Sequence, residues 1–355
     1  ISCFFSDNIY ISLKRLIIVF IPFILIFQYF KNEKNIEEIK TKIELNFIYF
    51  VLFLCIYALV IFIFDLIFIE NWVYQTHKVL ISKFFNLGQI YYQRGELTEA
   101  TGGSFAGFIW LRPSSLMSNT IGFSQLILFA IIMCINNKMN TLLKSFLIIL
   151  FLICLIWTFS RINILIIFLI PIIFVALKNK KLLIFFLLTK VFLFFLLIAI
   201  QLPFFQGLLN FSYDQLGLGN FLDRFVIFKV SLIYFNDYFV NGVGFGLSSE
   251  NFIMKLYQLL PTWYNQQELA IASVPITILV ETGILGLFLY AFIIPSLVIT
   301  NNNFHLKFVK NIFFILIVIQ LTQYFDISLF RFHPLTFVFA MYLGICCNKN
   351  LKINA

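Results

Sequence analysis

The side chains of this chain best suited to chemistry are its arginines. A guanidinium group presents a planar fork of donors that binds a phosphate or a carboxylate through two parallel hydrogen bonds. The sequence therefore contains the side chains that a site for a phosphate-bearing ligand needs. The competing interpretation is that each arginine forms a separate ion pair with an acidic residue. The six residues are Arg15, Arg94, Arg112, Arg161, Arg224 and Arg331.

Arg224 lies in residues 201–270, the longest stretch of the chain that is too polar for a lipid core. It leads an amphipathic segment, residues 223–229, which precedes a Gly-Val-Gly-Phe-Gly turn. Backbone N–H groups in such a turn can form a small anion-binding nest. An arginine followed by this turn suits an anionic, partly apolar ligand beside a membrane. The candidate substrate-binding glycines of the turn are Gly242, Gly244 and Gly246.

Two further charged residues lie beside or within apolar stretches. Arg161 follows Ser160 in a very short link between two apolar runs. It can face a cavity and meet a lipid-linked anion, or it can reach the headgroups at the membrane boundary. Glu281 lies inside an apolar run, where an unpaired carboxylate is costly, so we expect a structural hydrogen-bond anchor there. Gly283 and Gly286 follow it and predict close helix packing.

The elements that must position these residues are transmembrane helices. Of the 355 residues, 61% are hydrophobic and 12% are charged, whereas a soluble domain has about 25% charged residues. We therefore predict an all-α polytopic membrane protein with one domain over residues 1–355, whose N-terminus is incomplete because it begins with Ile1. A spanning helix needs about 20 mostly apolar residues. With ends extended into polar flanks, nine segments qualify: 16–30, 45–69, 120–135, 145–157, 162–177, 182–200, 271–299, 312–325 and 334–347.

The charges between these segments divide into two sides. Of the 19 lysines, 13 lie in short connections on one side, which the positive-inside rule makes cytoplasmic. The opposite side carries two large polar segments, an outer loop at 70–119 and a larger outer loop at 201–270. All six arginines fall on this outer side, and phosphate binding explains that asymmetry better than topology does.

Several common kinds of site are missing from the sequence. The six cysteines form no CxxC pair and the three histidines are far apart, so we expect no metal and no disulfide framework. The sequence contains no P-loop, HExxH or GxSxG motif. We therefore expect no cofactor and no nucleic-acid partner.

The order of the remaining motifs resembles the O-antigen ligase and O-antigen polymerase superfamily of bacterial envelopes. The motifs are Ser160-Arg161 between two spans, a lysine-rich inner turn, Arg224 with its amphipathic segment, the Gly-Val-Gly-Phe-Gly turn, and Glu281-Thr-Gly-Ile-Leu-Gly. The run Arg112-Pro-Ser-Ser-Leu-Met-Ser-Asn119 also looks like a loop of that family. The resemblance covers roughly residues 95–292.

This resemblance implies a GT-C-like fold in the bacterial inner membrane, with residues 201–270 as a large periplasmic loop. It also implies a metal-independent glycosyltransferase active on the periplasmic face. It implies a donor glycan on undecaprenyl diphosphate, with Arg161 and Arg224 contacting the diphosphate and Arg112 and Arg331 as further candidates. Fixed arginines can stabilise the charge of a diphosphate leaving group without a metal. The implied partners are the lipid-linked oligosaccharide, membrane lipids and a chain-length regulator protein.

One position departs from the ligases of the superfamily, which have a histidine shortly before the Glu-x-Gly-x-x-Gly span as the proposed base. Here residues 267–275 read Gln-Glu-Leu-Ala-Ile-Ala-Ser-Val-Pro. This favours a polymerase of lipid-linked repeat units over a ligase that joins finished polymer to lipid A-core. A positioned carboxylate can also act as the base. The candidates are Asp237, Glu250 and Glu268, and His333 is a candidate for the base or for substrate binding.

Two other classes of protein stay open. A flippase for the same lipid-linked sugar should have repeated halves and charged residues along several spans, and the sequence shows neither. A purely structural membrane subunit would leave the one-sided arginines unexplained.

Overall fold

The computed structural model describes residues 8–68, 93–95, 110–112, 120–158, 160–199, 238–246, 273–301, 304, 306–323 and 334–348. These residues are predominantly helical, as the composition predicts. Each of the nine predicted spans coincides with one helix. The helices are α1 (Ile9–Asn32), α2 (Ile36–Phe68), α3 (Thr120–Asn136), α4 (Thr141–Trp157), α5 (Arg161–Lys178), α6 (Lys180–Ala199), α7 (Val274–Thr300), α8 (Lys307–Thr322) and α9 (Pro334–Cys346).

The apolar surfaces of these helices indicate a membrane protein. Within the described ranges, α1, α2 over Ile36–Val60, and α7 are long and apolar enough to cross a membrane by length and composition. The large apolar side chains of Leu25, Phe168 and Leu289 are 65%, 71% and 74% exposed. Soluble proteins rarely leave wide apolar faces in water, so these faces suit contact with lipid.

The predicted outer loop at 70–119 contains two short strands, β1 (Gln93–Gly95) and β2 (Trp110–Arg112). They pair antiparallel, with Gln93 opposite Arg112. Of the predicted periplasmic loop at 201–270, the described part is segment 238–246. The extent of both loops therefore stays a prediction.

The helices group into two compact units. Unit 2 comprises Lys34–Leu97 and Phe105–Ile170. Its central helix is α3, whose residues 122–134 are all buried and which packs against α2 and α4. Leu54 of α2 and Phe151 of α4 are fully buried in this core.

Unit 1 comprises Ile1–Glu33, Thr98–Ser104 and Pro171–Ala355. Helix α9 packs against α1 and α8, and helix α7 packs against α6 and α8. Residues 312–319 of α8 are fully buried, so this helix forms the centre of the unit.

Polar side chains also join the helices of unit 1. Lys190 of α6 donates a hydrogen bond to the side-chain oxygen of Gln320 in α8 (2.5 Å). The amide nitrogen of Gln320 donates in turn to the carbonyl oxygen of Tyr290 in α7 (3.0 Å). Such bonds hold helices together where apolar contacts alone give little preference for one arrangement.

Two helix ends on the predicted cytoplasmic side are capped by lysines. Nζ of Lys144 donates to the carbonyl oxygen of Ile135 at the end of α3 (2.6 Å). Nζ of Lys180 donates to the carbonyl oxygen of Ile299 at the end of α7 (2.9 Å). A cation at a helix C-terminus satisfies free carbonyl groups and interacts favourably with the helix dipole. Lysines that the positive-inside rule assigns to the cytoplasm therefore also stabilise the helices.

Candidate functional site

Helix α7 is broken where the sequence reads Glu-Thr-Gly. Gly283 has φ 73° and ψ −171°, outside helical geometry. A Cβ atom at this position would overlap the carbonyl oxygen of Val240, which belongs to segment 238–246. Glycine combines this left-handed backbone with such a close approach at no steric cost. Gly283 thus allows close packing, as predicted, but the partner is a loop segment and the glycine also interrupts the helix.

The hydrogen bonds lost at the break are replaced by bonds to the loop segment. In a continuous helix the N–H of Ile284 would donate to the carbonyl oxygen of Val280. Here Ile284 donates to the carbonyl oxygen of Phe239 (3.0 Å), and Val280 accepts from the N–H of Val243 (2.9 Å). Both groups therefore stay paired; Val280 is buried, and an unpaired carbonyl group there would be costly.

Two glycines shape the loop segment itself. Gly242 and Gly244 have φ 67° and 114°. The N–H of Gly244 donates to the carbonyl oxygen of Glu281 (3.0 Å), and a Cβ atom on Gly242 would overlap the Glu281 backbone. Glu281 is 4% exposed and anchors the turn through its main-chain carbonyl. We call residues 238–246 together with residues 280–284 the helix-break junction.

Helix α1 holds the far end of the turn. Oγ of Ser12 donates to the carbonyl oxygen of Phe245 (3.1 Å), and Arg15 donates to the carbonyl oxygen of Gly246. The ring of Phe245 meets the ring of Phe20 edge to face, with centroids 5.4 Å apart. Arg15, one of the six predicted outer arginines, therefore lies beside the glycine turn.

The main-chain donors of the turn are partly engaged within the chain. The N–H of Gly242 donates to the carbonyl oxygen of Tyr238 (2.9 Å), and those of Val243 and Gly244 donate to α7. An anion-binding nest would therefore have to use other amides. Substrate binding by the three glycines stays a prediction, while the structure gives Gly242 and Gly244 a role in fastening the loop to α7.

The Ser160-Arg161 link in unit 2 is built from side-chain hydrogen bonds. Arg161 is the first residue of α5. Nδ2 of Asn163 donates to Oγ of Ser160 (3.0 Å) and to Oγ of Ser124 in α3 (2.6 Å). These three side chains are buried, and we call Ser124, Ser160 and Asn163 the Asn163 cluster. It joins the first turn of α5 to α3.

The preceding helix end is closed by Thr158. Its hydroxyl donates to the carbonyl oxygen of Leu155 (2.6 Å) and accepts from the N–H of Ser160 (3.4 Å). Oδ1 of Asn163 is buried and accepts no hydrogen bond from the part of the chain that the structure describes. The link is therefore hydrogen-bonded where it leaves α4 and where it enters α5.

The predicted site residues are distributed over both units. Arg161 begins α5 in unit 2, and Arg112 ends β2 in the same unit. The three glycines of the turn lie in unit 1, where the structure brings them together with Arg15 and Glu281. The roles of the remaining predicted residues stay predictions, because these residues lie outside the described ones: Arg224, Asp237, Glu250, Glu268, Arg331 and His333.

The sequence motifs do not include three residues that bond to the glycine turn or form the Asn163 cluster. Ser12, Ser124 and Asn163 each interrupt a mostly apolar helix with a polar side chain. A polar side chain in such a helix commonly hydrogen-bonds to a neighbouring segment, and that signal could have identified them. Among the described residues, no three His, Cys, Asp or Glu side chains are grouped so that they could hold a metal ion.

The fold, the helix-break junction and the Asn163 cluster define a helical membrane protein in which part of a polar loop is hydrogen-bonded to a broken helix. Residues 146–291 match the sequence model of a family described as O-antigen ligase. This confirms the predicted resemblance to the O-antigen ligase and polymerase superfamily over less than half of the chain. The matched stretch contains the Ser-Arg link, the glycine turn and the break in α7. No curated protein and no solved structure matches the chain.

The match supports a function in envelope polysaccharide assembly of the ligase or polymerase type. Members of the matched family are glycosyltransferase-like enzymes.

Proposed function

We propose that this protein is a polymerase of lipid-linked oligosaccharide repeat units in the bacterial inner membrane. A growing glycan leaves its undecaprenyl diphosphate and joins the non-reducing-end sugar of the next repeat unit on the periplasmic face. The observation that carries the proposal is the family match over residues 146–291. The sidedness of the charges supports the periplasmic face, because most lysines lie on one predicted side and all arginines on the other.

The proposed reaction needs stabilisation of the leaving group. The acceptor hydroxyl oxygen forms a bond to the anomeric carbon while the bond from that carbon to the diphosphate oxygen breaks. The electron pair goes to undecaprenyl diphosphate, and the hydroxyl proton goes to a base. Arg161 and Arg224 are the proposed diphosphate ligands, because fixed guanidinium groups stabilise charge that develops on phosphate oxygens. Arg112 and Arg331 are further candidates.

An outer carboxylate is the proposed base. Asp237 directly precedes segment 238–246 in the sequence, and that segment is hydrogen-bonded to α7. A base must be held within hydrogen-bond reach of the proton it removes, so a neighbour of an anchored segment suits the role. Glu268 is the second candidate, and His333 is a candidate for substrate binding.

The helix-break junction has a mechanical role in this proposal. It fastens part of the periplasmic loop to α7 and α1 through main-chain and side-chain bonds. A loop that is fastened in this way can keep its catalytic groups in one geometry, which lowers the entropic cost of reaching the transition state. The glycines of the turn would then serve substrate binding by setting the path of the loop.

The second candidate function is the ligase that transfers finished polymer to lipid A-core. The description of the matched family favours it. Both reactions use the same kind of donor and differ in the acceptor. The lack of a histidine in residues 267–275 favours the polymerase.

A strain that lacks the gene tests these functions through its surface lipopolysaccharide and its undecaprenyl-linked glycans. The polymerase predicts core bearing a single repeat unit and no ladder on a gel. Bare core with long polymer left on the lipid carrier would identify the ligase instead. Repeat units trapped on the cytoplasmic face would indicate a flippase, and an unchanged profile would contradict a role in this assembly.

A further inference from the structure

We propose that Asn163 is a positioning residue that sets the orientation of Arg161 for binding the diphosphate of the lipid-linked donor. This inference rests on the proposed function, since it concerns the diphosphate that Arg161 is proposed to hold. It assigns a role to a buried amide that the arginine motif does not include.

The first turn of α5 is fastened on both sides of Arg161. Two hydrogen bonds connect Ser160, which precedes Arg161, to residues that follow it. The carbonyl oxygen of Ser160 accepts from the N–H of Ile164 (3.0 Å), and Oγ of Ser160 accepts from Nδ2 of Asn163 (3.0 Å). The main chain of Arg161 therefore lies inside a short hydrogen-bonded loop that limits how far it can shift.

The bond from Asn163 to Ser124 fixes a second degree of freedom. It joins α5 to α3 over a distance of 2.6 Å between buried atoms. Rotation of the first turn of α5 about its axis would break this bond. Apolar packing alone is less selective for one rotation, because several rotations bury similar areas between helices in lipid. The cluster thus limits the rotation of the first turn of α5, the turn that carries Arg161.

Asn163 acts on Arg161 through the helix. Positions two residues apart in a helix do not face each other. Asn163 is also fully buried among the first turns of α3 and α5. It therefore has no need to contact the ligand in order to affect how Arg161 binds it.

A buried amide packs two helices less favourably than an apolar side chain would. Oδ1 of Asn163 accepts no hydrogen bond from the described residues, and an unpaired buried acceptor is destabilising. A leucine of similar size would avoid that loss. What the amide adds is directional bonding, and direction matters for a guanidinium that binds diphosphate in a bidentate way.

The test separates orientation from stability with an apolar replacement. Asn163→Leu combined with Ser124→Ala removes both bonds and makes both partners of the inter-helix bond apolar, while the hydroxyl of Ser160 loses one hydrogen-bond partner. We expect the fold to be retained, because the inter-helix bond is removed from both sides. The probe is farnesyl diphosphate, titrated into the purified full chain in nanodiscs, with farnesyl monophosphate and farnesol as ligand controls. The melting temperature without ligand is measured in parallel. Ser145→Ala is the matched control, because Ser145 is an exposed serine of α4 in the same unit.

We expect the double variant to keep its melting temperature and to bind farnesyl diphosphate about tenfold more weakly, the loss that corresponds to about one net hydrogen bond. Ser124→Ala alone, which leaves the bond to Ser160, should give a smaller loss and serves if the double variant does not fold. Adding either change to Arg161→Ala should cause no further loss, because the cluster acts through that arginine.

Unchanged affinity of the double variant, or an equal loss on the Arg161→Ala background, would overturn the positioning role alone. Arg161→Ala with full affinity for farnesyl diphosphate would instead overturn the proposed diphosphate site, and the positioning role with it.

Discussion

The helix-break junction of unit 1 and the Asn163 cluster of unit 2 both join separate segments of the chain through hydrogen bonds, but they use different chemical groups. The junction uses main-chain hydrogen bonds and glycines with positive φ, whereas the cluster uses side-chain amide and hydroxyl groups. A main-chain junction leaves no room for a side chain at its glycines. A side-chain cluster can be replaced by apolar groups of the same shape at little cost. The first should therefore govern stability and the second orientation.

The largest effect on stability is expected from Gly283→Ala. The new Cβ atom would overlap the carbonyl oxygen of Val240, and alanine is disfavoured at φ 73°. We expect a loss of about 3 kcal/mol or more in the free energy of unfolding. Thermal unfolding of the purified protein and its amount in membranes measure this loss.

The matched control for Gly283→Ala is Ser296→Ala on the same helix. Ser296 is exposed, and its hydroxyl donates to the carbonyl oxygen of Ile293 within α7. This change should leave the melting temperature nearly unchanged. If Gly283→Ala has the same melting temperature as the wild type, the junction does not govern stability.

The next effect is on activity rather than stability. Arg161→Lys and Arg224→Lys keep the positive charge but lose the planar fork, so we expect glycan transfer to fall by about tenfold or more. The rate of ladder formation in a complemented deletion strain measures this, and Arg94→Lys in β1 is the matched control. Wild-type ladders from both variants would refute the assignment of these arginines to the diphosphate.

A hydrogen bond from a side chain to the main chain should have an effect on stability between those of Gly283→Ala and of changes in the Asn163 cluster. Nδ2 of Asn348 is buried and donates to the carbonyl oxygens of Phe30 (2.8 Å) and Glu33 (2.7 Å) at the end of α1. Asn348→Ala leaves these carbonyls without that donor, so we expect a loss of about 1–3 kcal/mol in the free energy of unfolding.

The control for Asn348→Ala lies at the opposite end of the same helix. Oδ1 of Asn8 is exposed and accepts from the N–H of Ile11 (3.2 Å). Water can replace this bond, so Asn8→Ala should lower the melting temperature less than Asn348→Ala does. The reverse order would contradict the claim that burial decides the cost.

The smallest effect on stability is expected from Asn163→Leu combined with Ser124→Ala. Both partners of the inter-helix bond become apolar, and the hydroxyl of Ser160 loses one hydrogen-bond partner. We therefore expect the free energy of unfolding to change by about 1 kcal/mol. Thermal unfolding of this double variant and of Gly283→Ala under the same conditions compares the two losses directly. Equal losses in the two variants would remove the distinction between the junction and the cluster.

The positions of the helices could be predicted from the sequence because long apolar runs have few other structures available in lipid. The starts of helices were harder to predict. Helix α2 begins at Ile36, whereas the apolar run predicts 45. Its polar first turns are stabilised as helix by ion pairs that join Lys40 to Glu44 (2.8 Å) and Lys42 to Glu38 (2.7 Å).

The break in α7 could not be predicted in the same way. The sequence Glu281-Thr-Gly is compatible with a continuous helix that contains a small residue. The break depends on a hydrogen bond from the N–H of Val243 to the carbonyl oxygen of Val280, and Val243 is far away in the sequence. The sequence predicts a turn at these glycines, but it does not indicate that the turn is hydrogen-bonded to α7. Asn163 could have been predicted, because a polar side chain in an apolar helix commonly hydrogen-bonds to a neighbouring segment.

The central claim, glycan transfer from undecaprenyl diphosphate, is tested most directly by reconstitution. The purified full chain is placed in proteoliposomes with undecaprenyl-diphosphate-linked repeat units and a metal chelator. Ladder length is read on a gel and free undecaprenyl diphosphate by mass spectrometry. The account predicts one undecaprenyl diphosphate released for each repeat unit joined, and loss of both signals with Arg161→Ala. Repeat units that cross the bilayer without any release of undecaprenyl diphosphate would contradict it.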